Sequence, residues 1–103
     1  MKVIKYLYER IEEEIKDAEG YAVQAMKCKD NYPELSRVLF TLSGQELEHS
    51  QMLHTEAVDL IKKYRDTEGE PPAAMMAVYD FLHEREINMY NNVKALQERY
   101  RNS

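Results

Sequence analysis

Glu46 and His49 stand three residues apart, and on a helix that spacing sends both side chains out of one face. A carboxylate oxygen and an imidazole nitrogen converging in this way suit iron, manganese or zinc better than calcium. Glu14 lies one segment earlier. If the chain doubles back about residues 31–32, Glu14 comes level with the pair. Glu86 is a fourth polar residue at an inward position, and His83, three residues before it, repeats the spacing in reverse order. An ionised carboxylate buried without a partner costs several kcal/mol. One bound cation would satisfy several carboxylates at once. The plainer readings are a glutamate at the edge of a buried stripe with its head in water, and a core histidine held by a hydrogen bond. A single Glu-x-x-His arises by chance in many acidic helical proteins. A glutamate level with it on the preceding helix makes the pattern more selective and favours metal binding.

The elements that must position these residues are helices. Pro33, in Asp30-Asn31-Tyr32-Pro33, suits the first turn of a helix. Gly69 can end a helix, and Pro71 and Pro72 can begin the next. The spacing predicts three helices over about 3–30, 33–66 and 72–101, an all-α hairpin plus a third helix, antiparallel in sequence and forming one domain over residues 1–103. Each has a stripe with alternating steps of four and three. The first reads Leu7, Ile11, Glu14, Ala18, Tyr21, Ala25, Cys28. The second reads Leu35, Leu39, Leu42, Glu46, His49, Leu53, Glu56, Leu60. The third reads Met75, Tyr79, Leu82, Glu86, Met89, Val93, Leu96, Tyr100. Gly20 and Gly44 fall at one level of the hairpin, where a close helix crossing is expected. Glu56 and His54 are expected to face solvent, and Tyr21 to be core.

The bulk numbers limit the alternatives. Charged residues are 32% and hydrophobic residues 44% of the chain, which is neither a disordered nor a membrane-spanning composition. The net charge is −5 with Lys and Arg scattered, so neither nucleic acid nor an anionic membrane is expected as a partner. The single Cys28 makes no intrachain disulfide, and with no signal peptide in view a cytoplasmic setting is expected.

The stretch Leu42-Ser43-Gly44-Gln45-Glu46-Leu47-Glu48-His49-Ser50-Gln51-Met52-Leu53 resembles the second helix of rubrerythrin-type members of the ferritin-like superfamily. Glu14, Ala18 and Tyr21 resemble the pattern of that family's first helix, and Lys29-Asp30-Asn31-Tyr32-Pro33-Glu34-Leu35 its linking turn. The likeness covers roughly residues 10–55. It implies a di-iron carboxylate centre in which Glu14 is a terminal ligand, Glu46 bridges the metals and His49 is a terminal nitrogen ligand, with Glu19 as the alternative first-helix ligand. Zinc or manganese are the alternative metals. The activity implied is ferrous iron oxidation or iron and peroxide handling.

Such a domain supplies Glu plus Glu-x-x-His twice, from four helices, whereas this sequence offers the set once. Two completions follow. A second copy could meet the first about a twofold axis and double the ligand set, as in encapsulated ferritins. Alternatively the third helix could complete a lesser site through Glu86 and His83. The competing function is a non-enzymatic oligomeric scaffold or adaptor on the same helical frame without metal.

Overall fold

The computed structural model describes residues 2–103, and the chain is all-helical. The helices are α1 (Lys2–Cys28), α2 (Pro33–Glu68) and α3 (Ala73–Arg101). All their ends lie within two residues of the expected bounds. Pro33 occupies the first turn of α2, where its missing N–H would have no helical partner. Gly69 closes α2 at φ 85°, a left-handed conformation that glycine adopts without strain, and its N–H bonds to the Arg65 carbonyl. Lys29, in the first turn, donates to the carbonyls of Tyr100 (3.0 Å) and Ser103 (2.7 Å). A cation thus sits at the C-terminal end of α3, where the helix dipole favours it.

Helices α1 and α2 form a long antiparallel hairpin. Helix α3 runs alongside α1 and packs mainly on it, and its backbone comes close to that of α2 at few points. The core lines up along α1: Ile4, Tyr8, Ile11, Ile15 and Ala18 meet Leu47 and Ile61 of α2 and Tyr79 and Val93 of α3. Among the described residues, no helix is long and apolar enough to cross a membrane.

The seam between α1 and α2 differs from expectation. The buried positions of α2 are Ser36, Ser43, Leu47, Ser50, Ala57 and Ile61, not the leucine stripe one residue away. Opposite lie Ala18, Ala22 and Ala25. Small side chains let the two backbones come close, and the serines turn that closeness into hydrogen bonds. Ser36 Oγ donates to the Ala25 carbonyl (2.6 Å) and meets Tyr100 Oη (2.8 Å). Ser43 Oγ donates to the Ala18 carbonyl (2.7 Å) and accepts from Gln97 Nε2 (2.9 Å). The hydroxyls therefore tie all three helices together. Gly20 and Gly44 do not make the expected crossing, because a Cβ added at either would meet nothing within 4 Å.

The bundle is thin. Its extents are 55 × 18 × 17 Å and its radius of gyration is 16.5 Å, against about 13 Å for a compact chain of this length. A thin bundle leaves apolar side chains uncovered. Val3 and Tyr6 on α1 are 52% and 58% exposed, and Leu35 and Val38 on α2 are 48% and 55% exposed.

Candidate metal centre

Helix α1 carries Glu14 and α2 carries Glu46 and His49, and the hairpin brings one ligand atom from each within 4.8 Å of the others. The turn at Pro33 sets the level of Glu14 against Glu46, and the i,i+3 spacing keeps Glu46 and His49 on one face. His49 Nδ1 lies 3.7 Å from Glu46 Oε1 and 3.8 Å from Glu14 Oε2. The two carboxylates are largely covered, with side-chain exposures of 14% and 19%, whereas His49 is 54% exposed. The cluster sits at the edge of the hairpin seam and opens outward.

The carboxyl groups respond to each other. A hydrogen bond shared with Glu14, reinforced by burial, pushes Glu46 up to about 7. The same hydrogen bond, with help from Arg10, holds Glu14 below its ordinary value of 4.5. Glu46 is thus the more readily protonated of the two acids. A cation at that point could take the place of the proton and bring His49 in as a third ligand. Arg10 is a residue that the metal-ligand pattern passes over. Its Nη2 donates to Glu14 Oε1 at 2.8 Å, leaving the other oxygen towards His49. The i,i+4 spacing of Arg10 and Glu14 was the available signal.

The other candidates lie elsewhere. Glu19 is exposed and outside the cluster. Glu86 and His83 do not join it either. Helix α3 meets α2 through Phe40, stacked on Tyr100, through Gln51, which donates to Tyr90 Oη at 2.6 Å, and through His54, in contact with His83. At about 100° per residue, Glu46 lies roughly 80–140° around α2 from Phe40, Gln51 and His54, and His49 roughly 140–180°. On α1, Glu12 pairs with Arg85 of α3 at 2.7 Å, and Glu14 is about 160° away around the helix. The third helix and the Glu14/Glu46/His49 cluster thus occupy different sides of the hairpin.

Glu86 is instead buried, 5% exposed, and neither of its oxygens has a hydrogen-bond partner. Burial first, then the charge of Glu12, pushes it up to about 8. His54, expected in solvent, is half-buried, with Nε2 3.0 Å from His83 Nδ1. Burial and His83 together lower its proton affinity. Glu56 is exposed, as expected, and Cys28 is buried. Tyr21 is half-buried at the margin of the core.

No family model, no curated protein and no solved structure matches this chain.

Proposed function

We propose that this chain is a ferritin-like metal-binding protein in which Glu14, Glu46 and His49 form half of a carboxylate–histidine di-iron centre. A second copy of the chain supplies the other half. The observation that carries the reading is the convergence of three ligand atoms from two helices within 4.8 Å. Two carboxylates and one imidazole make an oxygen-rich donor set of the kind iron and manganese take.

The position of the cluster supports the second copy. Helix α3 covers the other side of the hairpin, and the exposed Leu35 and Val38 lie within about 20° of Glu46 and His49, respectively, around α2. A twofold axis along this face would cover those side chains and place two Glu/Glu/His sets opposite each other. Iron held there would supply ferrous oxidation by dioxygen or peroxide. The chain's own contribution is to gather the carboxylates and fix Glu14 through Arg10.

The test is metal analysis and solution mass of protein purified without chelator. One to two iron atoms per dimer are expected, lost in Glu46→Ala and His49→Ala, with oxygen consumption when ferrous iron is added. Full metal content in both variants refutes the reading. The exposed apolar face also favours a second reading, a metal-free helical scaffold, and an equally stable oligomer without metal would establish that one instead.

A further inference from the structure

We propose that His54, His83 and Glu86 form a second transition-metal site, of the zinc class, in the cavity between the three helices. The cavity has a volume of about 210 Å³ and is walled by Ile11 and Ile15 of α1, His54 of α2, and His83 and Glu86 of α3. It lies on the α3 side of the hairpin and shares no ligand with the Glu14/Glu46/His49 cluster.

The imidazoles are already close to a ligand spacing. His54 Nε2 and His83 Nδ1 are 3.0 Å apart, and their rings are parallel within 16°. Two nitrogens on a tetrahedral zinc, with bonds of about 2.0–2.1 Å, stand roughly 3.3–3.4 Å from each other. A few tenths of an ångström of separation would admit the ion in place of the shared N–H. Glu86 supplies the independent observation: a carboxyl group 5% exposed, with both oxygens unpartnered, where buried polar atoms ordinarily find partners. It follows His83 by three residues, so the two side chains leave α3 on one face. The Glu86 oxygens are not gathered with the imidazoles in this conformation, and ligation requires the side chain to turn into the cavity that it lines. The space suffices, since a water's share of volume is about 30 Å³ and the ion needs at most one or two waters beside its three ligands.

The donor set decides the metal. Two imidazoles and one carboxylate favour zinc and its neighbours, while the oxygen-rich cluster across the hairpin favours iron or manganese. The consequence is mechanical. The α2 and α3 backbones come close at few points, and an ion held by His54 and His83 would add a clamp between the two.

Zinc chloride alone is the probe, titrated calorimetrically into chelator-treated full chain. The Glu46→Ala/His49→Ala variant isolates the new site and leaves His54 and His83 as the two remaining histidines of the three in the chain. It is expected to bind one zinc per chain and to shift both sets of imidazole ring resonances in NMR spectra. Adding Glu86→Gln should weaken binding about 10–100-fold, and adding His54→Gln and His83→Gln should abolish it. Absence of zinc binding in the Glu46→Ala/His49→Ala variant overturns the proposal, as does undiminished binding after both histidines are replaced. If the last variant does not fold, the NMR result decides: ring resonances unmoved by one equivalent of zinc overturn it. Iron analysis of the first cluster is unaffected by either outcome.

Discussion

Glu86 makes stability depend on pH in a direction opposite to that of an ordinary paired carboxylate. Its ordinary value is 4.5, and in the fold it rises to about 8. Burial is the main cause. The facing groups are Tyr8 and Glu12 on α1, Arg85 beside it on α3, and His54 across the cavity; Glu12 adds to the rise and Arg85 opposes it. The folded chain therefore holds this proton more tightly than the unfolded chain does. The associated stability is present in full below about pH 4.5 and is lost as pH climbs to and through about 8. A tenfold change in proton affinity is about 1.4 kcal/mol, so the whole loss is on the order of 5 kcal/mol. That is a large part of the 5–15 kcal/mol typical of a domain. The assay is urea unfolding followed by far-UV circular dichroism, at fixed protein concentration in chelator, from pH 5 to pH 9. The comparison is with Glu86→Gln, whose side chain has nearly the same shape and does not titrate. Other groups, including Glu14 and Glu46, cancel in the difference. Relative to the variant, the natural chain should lose roughly 1.4 kcal/mol per pH unit between about 5 and 8 and level off above. Parallel profiles, within about 1 kcal/mol over the range, would refute the claim that Glu86 is buried without a partner.

Other consequences are open to measurement. Ser43→Ala removes the hydroxyl that joins Ala18 to Gln97, and the orphaned groups should lower stability by about 1–3 kcal/mol in denaturant titrations. Gly20→Ala meets no neighbour and adds helix propensity, so it should raise stability by about 0.5–1 kcal/mol; a loss would mean that the position is crowded. Leu35→Lys with Val38→Lys places charge on the exposed face beside the cluster. Sedimentation should then show monomer, and bound iron should fall with it; an intact dimer would place the interface elsewhere. Arg10→Ala should leave the fold intact while weakening iron retention about 10–100-fold, as measured by competition with a chelator.

The helices were legible in the sequence because their punctuation is chemical. Pro33 cannot sit inside a helix but can begin one, and Gly69 supplies the positive φ that ends α2. Once the turn is located, the level of Glu14 against Glu46 follows from the fixed rise per residue, and the spacing of Glu46 and His49 does the rest. The shared level of these three needed no knowledge of the core.

The choice of face on α2 did not follow in that way. Two stripes one residue apart run along the helix, a leucine stripe through Glu46 and His49 and a serine–alanine stripe through Ser36, Ser43 and Ser50. Periodicity favours the leucines because they are more apolar. The fold buries the serines because small side chains allow close approach, and because carbonyls of α1 accept from their hydroxyls while side chains of α3 bond to the hydroxyl oxygens. That rotation leaves the cluster at the edge of the seam rather than inside it. The side taken by α3 was also a tertiary decision. It put His54 against His83, left Glu86 buried without a partner, and kept both away from the Glu14/Glu46/His49 cluster. A sequence specifies angles around each helix axis, and only packing decides which neighbour each angle meets. The spacing of Glu46 and His49 and the level of Glu14 were thus determined by the sequence alone, and the tertiary structure decided that the three converge and that the cluster opens outward.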